Sequence, residues 1–320
     1  MVASDRSPEP RPFRFGLHTH TFESADALRA RARWAEDAGF SVMTIADHLV
    51  PMPAPFATMA TIAAATERLR VGTLVLNNDF RHPVIVAREA ATIDWMSGGR
   101  LELGIGAGHM GFEYDEAGLP FDRGAVRVSR LAESVHVIRR LLAGEEVTFE
   151  GEHYTLAGHR SFPDPVQATV PLLVGGNGTK VLTTAAAEAD IVGFAGFRHR
   201  ERGGKVELTH FGPDGLDDRV SVVRDAAGDR FADLELNALV QWADVTDDPE
   251  ASIKGRFGEL VGDGPLDPDL LASPFLLCGT EAEITAVLHE RRERFGISYH
   301  TIFDGNADAL APIVSKLAGT

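Results

Sequence analysis

Five short segments hold most of the residues able to do chemistry: His18-Thr19-His20, Asp47-His48, Asn77-Asn78-Asp79, Gly106-Ala107-Gly108-His109 and Gly175-Gly176-Asn177-Gly178. Imidazoles exchange protons near neutral pH, so His48 and His109 are candidates for acid–base work, with Asp47 beside the first. A glycine-rich turn running into a helix exposes backbone N–H groups beside the positive end of the helix dipole, a seat for a phosphate. An ordinary tight turn is the other reading of Gly175–Gly178. A P-loop is excluded, because its Lys-Ser/Thr pair and spacing are missing.

Each of these segments follows a short apolar run. Phe13–Leu17, Ser41–Ala46, Arg70–Leu76, Leu101–Ile105, Leu172–Val174, Ile191–Phe194, Leu234–Ala243 and Ser298–Phe303 read as strands. Between them, Ala25–Asp37, Phe56–Arg68, Val128–Leu142, Lys180–Glu188 and Glu281–Phe295 read as helices, as does the segment opened by His82-Pro83 and stopped by Gly98-Gly99. An excursion with hairpin character covers 145–159, and Phe197–Leu216 reads as a polar insertion loop. Eight strands alternating with helices predict an α/β fold, a (β/α)8 TIM barrel, with insertion loops at the C-terminal face where barrel enzymes keep their chemistry.

Gly106-Ala107-Gly108-His109-Met110-Gly111 also fits the dinucleotide fingerprint G-x-G-x-x-G. That motif needs a helix immediately behind it, and the Gly, Pro and charge of Phe112–Asp122 predict none.

Composition sets outer limits. The 320 residues are 44% hydrophobic with a net charge of −16, which disfavours nucleic acid and anionic membrane surfaces as partners. No run approaches the roughly 18 apolar residues a membrane span needs. Met1–Pro12 is polar and Pro-rich, which suggests a mobile tail ahead of a single domain over 13–320, and Cys278 is the lone cysteine, which suits a reducing cytoplasm. The basic cluster Arg198, His199, Arg200, Arg202 and Lys205 reads as a solvated loop.

The pattern resembles the luciferase-like flavin and deazaflavin oxidoreductase family across almost the whole chain. The resemblance rests on Ala35-Glu36-Asp37-Ala38-Gly39-Phe40, Asp47-His48, HPVIVAREAATIDWMSGGRLELGIGAG, PLLVGGNG and Ala189-Asp190-Ile191-Val192-Gly193-Phe194. VGTLVLNNDFRHP is most similar to the branch that uses the deazaflavin coenzyme F420. The resemblance implies a TIM barrel, commonly a homodimer, that moves a hydride between the deazaflavin C5 and a small organic substrate. It implies a non-proline cis peptide bulge at Leu74-Val75, running into Leu76 and Asn77, behind the ring. It places Asp47 and His48 beside the ring, Ala107 and Gly108 against it, and Gly175, Gly176, Asn177 and Gly178 around the phosphate.

One departure stands out. The sugar-phosphate dehydrogenase branch carries Glu after G-x-G as proton donor, where this chain has His109. Two alternatives remain open. An FMN-dependent monooxygenase would use the same barrel. A metal-dependent hydrolase would use His18 and His20 with Asp304, although Gly-Gly-Asn-Gly and Gly193-Phe194-Ala195 stand where such a site needs further histidines. No metal is expected for the preferred reading.

Overall fold

A computed structural model describes residues 10–199, 206–262 and 264–320. The chain begins with β1 (Arg14–Thr19), α1 (Ala25–Asp37), β2 (Val42–Ile45), α2 (Pro55–Ala65), β3 (Arg70–Thr73), β4 (Leu76–Asn77) and α3 (Pro83–Ser97). It continues through β5 (Leu101–Gly106), α4 (Gly111–Ala117), α5 (Gly124–Leu142), β6 (Val147–Glu150), β7 (Thr155–His159), β8 (Leu172–Gly175), α6 (Thr179–Glu188) and β9 (Ile191–Phe194). The remainder is β10 (Phe197–His199), β11 (Val206–Leu208), α7 (Pro213–Ala227), β12 (Glu235–Val240), β13 (Trp242–Val245), α8 (Pro249–Val261), α9 (Pro268–Leu271), β14 (Leu276–Gly279), α10 (Glu281–Phe295), β15 (Ile297–Phe303) and α11 (Asp304–Leu317).

The main sheet runs β3-β2-β1-β15-β12-β9-β8-β5-β4, and pairing of β3 with β5 closes it. With β3 and β4 as two halves of one stave, this is the expected eight-stave parallel barrel. Two apolar layers hold it. Side chains such as Phe15, Met43, Leu103, Val174, Val192 and Ile302 pack outward under the helices, while Val42, Leu173, Ile191 and Tyr299 fill the interior with Leu74 and Val75.

The break between β3 and β4 falls at the Leu74–Val75 peptide bond, which is cis. Glycines of β5 and β8 make room for Val75. A Cβ on Gly106 would come within 2.7 Å of Val75 Cγ2, and one on Gly175 would already touch Val75 Cγ1 at 3.4 Å. The alternation in β5 therefore places Leu101, Leu103 and Ile105 under the helices and its glycines against the bulge.

Local signals set most boundaries. Pro83 opens α3 behind His82, and Gly98 in the left-handed region closes it. The excursion is the antiparallel pair β6–β7. Four expectations need correction. α2 ends at Ala65 rather than Arg68; the seventh stave ends at Val240, after which β13 turns away to pair with β14. The stretch read as an insertion loop contains the antiparallel pair β10–β11 and the start of α7. A helix, α4, does open directly behind the Gly-rich turn of β5. The dinucleotide reading fails for a different reason: β5 is a stave of a closed barrel.

Residues 1–9 of the expected tail lie outside the described residues, as does most of the basic cluster. Arg11 donates to the carbonyls of Ala232 and Asp233 at 3.2 and 2.7 Å. Among the described residues no helix is long and apolar enough to cross a membrane.

Candidate active site

The parallel staves bring their C-terminal ends to one mouth. There the His48 Nδ1 lies 2.8 Å from Glu113 Oε1, and Glu113 Oε2 accepts from the Leu49 backbone N–H at 3.1 Å. Glu113 is 1% exposed, whereas His48 is half-buried and reaches the mouth. His109, exposed on the turn after β5, meets the His48 ring edge to face with centroids 5.3 Å apart. The two imidazoles expected to handle a proton are thus adjacent.

Asp47 is buried, and both its oxygens are occupied. Arg81 donates to them at 2.6 and 3.2 Å, and the Asn77 N–H adds a third bond at 3.0 Å. This ties the end of β2 to β4 across the bulge. Asn77 Oδ1 in turn accepts from the Tyr114 hydroxyl at 2.8 Å and from the Asp79 N–H at 3.1 Å. Tyr114 is fully buried, and burial together with the neighbouring Asp79 pushes its hydroxyl pKa upward. Leu76 points into the outer core. Ala107 is half-buried, with its carbonyl receiving Arg127 Nε at 3.3 Å.

Gly108 cannot be replaced in this arrangement. Its φ is +73°, and a Cβ would fall 2.2 Å from the Tyr114 hydroxyl and 2.6 Å from Asn77 Oδ1.

His18 and His20 stand at the neighbouring strand end. His18 is buried with Nδ1 3.0 Å from Thr44 Oγ1, and burial, with the nearby His20 and His48, lowers its pKa to about 3. Phe303 stacks on His20 at 5.9 Å. Asp304, the third member of the hydrolase alternative, is taken by Arg31 at 2.6 Å and by the Thr19 hydroxyl at 3.1 Å. Among the described residues, no group of three or more His, Cys, Asp or Glu is arranged to hold a metal ion.

The second glycine-rich turn lies beside the first. Ile105 pairs with Val174, and a Cβ on Gly106 would sit 3.6 Å from the Gly175 carbonyl. The Gly176 N–H donates to Gly193 O at 3.0 Å, and Asn177 Nδ2 donates to Phe197 O at 2.9 Å, so the turn is fixed from both sides. Gly178 caps α6 without any side-chain acceptor, and a Cβ there would meet nothing within 4 Å. The α6 N-terminus therefore carries no side-chain cap, which leaves its leading N–H groups without a side-chain acceptor. Arg219 of α7 reaches the first residue of this helix, 3.3 Å from Thr179 Oγ1.

Glu113 was not foreseen, because 112–122 reads as loop from its Gly, Pro and charge. No local signal marks it: only the fold brings α4 back over the β2 loop, where Glu113 meets His48.

A parallel (β/α)8 barrel with a bulged third stave, two adjoining glycine-rich strand ends and a histidine pair at one mouth defines a TIM-barrel enzyme scaffold. The sequence profile of the luciferase-like monooxygenase family matches residues 11–209, more than half of the chain, and the protein belongs to that family. An F420-dependent glucose-6-phosphate dehydrogenase of Nakamurella multipartita is 35% identical over 190 residues, covering 57% of this chain and 56% of the relative. The chain thus matches about half the length of that curated relative.

Two solved structures share the fold. The coenzyme F420-dependent tetrahydromethanopterin reductase of Methanopyrus kandleri superposes with a TM-score of 0.77 at 19% identity, over 96% of this chain and 98% of the other. An F420-dependent secondary alcohol dehydrogenase gives 0.72 at 22% identity, over 96% and 98%.

Proposed function

We propose that this protein is a coenzyme F420-dependent oxidoreductase acting on a small organic substrate. The observation that carries the proposal is the convergence, on one mouth, of the glycines packed against Leu74–Val75, the uncapped N-terminus of α6 and the His48–His109 pair. The names of the relatives support the choice of deazaflavin.

When bound, a deazaflavin supplies a hydride donor or acceptor at C5. The protein's own residues do the rest. Gly175, Gly176, Asn177 and Gly178 hold the phosphate on the N–H groups of α6. Leu74 and Val75 would support the ring from the barrel interior, with Asn77 fixing the end of the bulge and Leu76 turned into the outer core rather than towards the ring. Ala107 and Gly108 would flank it on the turn after β5, although the space beside Gly108 is taken by Tyr114 and Asn77. Asp47, fully bonded to Arg81 and Asn77, anchors the β2 and β4 ends against each other. His48 holds or accepts the substrate proton, with His109 as the second group in reach. The mouth takes a small molecule in a homodimeric protein of the cytoplasm.

The test is separate titration of purified protein with F420 and with FMN, followed by F420 turnover with glucose 6-phosphate and simple secondary alcohols as probes. F420 is expected to bind more tightly. FMN affinity equal to or above it, with substrate-dependent oxygen consumption, overturns the proposal in favour of an FMN-dependent monooxygenase on the same barrel.

A further inference from the structure

The buried Glu113 carboxylate has no role in the chemistry assigned so far, yet it meets the candidate proton carrier directly. We infer that Glu113 is a positioning residue that fixes the tautomer and orientation of His48, which deepens the reading of this mouth as an oxidoreductase site and rests on it.

The geometry is specific. Glu113 projects from α4, a helix of seven residues closed by Gly118 in the left-handed region, and it is 1% exposed. Its two oxygens divide between two groups on the β2 loop: Oε1 meets His48 Nδ1 at 2.8 Å, and Oε2 accepts from the Leu49 N–H at 3.1 Å. A carboxylate only accepts, so Nδ1 carries the hydrogen. Nε2, on the opposite edge of the ring, is then the lone-pair nitrogen, available to take a proton from substrate or to return one. The Leu49 bond prevents the carboxylate from rotating away, so the ring has one orientation. A buried acid behind a histidine is a common way to select its tautomer.

The other groups around His48 do not supply this function. Asp47, its chain neighbour, is committed to Arg81 and Asn77; His18 accepts or donates at Thr44; His109 touches the ring through its face or edge. His20 lies beyond His18, with centroids 5.8 Å apart.

Glu113→Gln discriminates cleanly, because it keeps the volume but replaces one acceptor by a donor. With the amide oxygen held by Leu49 N–H, its NH2 faces His48 Nδ1 and favours hydrogen on Nε2, the reverse of the native tautomer. Nitrogen-15 NMR of imidazole-labelled protein, without cofactor, reads this directly, with His48→Ala identifying the resonance. The expected result is an Nδ1–H tautomer for the native protein and a shift to Nε2–H in Glu113→Gln, at unchanged melting temperature. In F420 turnover the variant should lose kcat tenfold or more with KM and F420 affinity within about twofold.

Adding Glu113→Gln to His48→Ala should change nothing more, since a group acting only through His48 is silent without it. An Nε2–H tautomer in the native protein, or one unaffected by Glu113→Gln, overturns the inference. If the tautomer behaves as stated but F420 does not bind, the proposed function fails and the positioning role stands.

Discussion

His48 is half-buried and braced from behind, and His109 is exposed, which ranks the two imidazoles for proton work. A positioned acid or base contributes on the order of 100-fold or more to rate. His48→Ala should therefore retain F420 binding while turnover falls by about that factor, and His109→Ala should lose less. Steady-state kinetics with a matching binding titration decide this. Loss of turnover in the His109 variant alone reverses the ranking, and loss in neither moves the proton to substrate or water. At this scale the sequence exposed His48, His109 and Asp47 by their types and their position after apolar runs. It hid Glu113, because nothing local distinguishes an acid that faces solvent from one folded back over a neighbouring loop.

Several residues quoted for the family pattern serve the elements rather than the mouth. Glu36 of α1 receives the N–H groups of Glu67, Arg68 and Leu69, the last at 2.7 Å, which fixes the entry to β3; although burial opposes it, these bonds lower its pKa. Asp94 of α3 takes the N–H groups of Val166 and Gln167 at 2.7 and 3.0 Å, fixing the approach to β8. The turn before α6 offers the sharpest test at this scale. Gly176 is a poor probe, since its Cβ would fall 2.7 Å from Val181 Cγ1 and substitution would disturb α6 itself. Gly178 is open and has ordinary φ of −76°. Aspartate is a favoured helix cap and its charge suits the dipole, so Gly178→Asp should leave the melting temperature equal or higher. The same charge would repel a phosphate seated on the α6 N-terminus. F420 affinity is expected to fall tenfold or more by fluorescence titration, and unchanged affinity would support a plain turn.

The barrel is fastened at the floor, the end opposite the mouth. Arg14 of β1 pairs with Glu102 of β5 at 2.6 Å and with Glu235 of β12, and its guanidinium lies 4.5 Å from the Tyr299 ring. Three staves from different sides of the barrel meet there. Removing the cation leaves two carboxylates, 3% and 10% exposed, with Arg70 at 3.5 Å and the Tyr299 hydroxyl beside Glu102 and the Arg11 charge acting on Glu235. Breaking a buried pair in this way costs about 3 kcal/mol or more. Arg14→Met should lose that much in urea unfolding while the folded fraction still binds F420. Burial already raises the Glu235 pKa, Arg14 opposing and Glu102 adding to it. A carboxyl whose folded pKa exceeds its unfolded one favours the fold while protonated. The deficit in Arg14→Met should accordingly grow as pH rises through and above the carboxylate range. An equal deficit at all pH values would argue against the charge account.

What the sequence determined by itself was the alternation: apolar runs spaced by helix starts and stops specify staves and covering helices, and parallel staves put every strand end on one face. Pro83, Gly98 and the glycines of β5 were legible because each acts through its own backbone or its immediate neighbours. The tertiary structure alone decided which side chains meet across that face. Val75 lies against Gly106 and Gly175, and Arg81 against Asp47. Glu113 reaches His48 across 65 residues, a separation that no local pattern encodes and that only closure of the barrel removes.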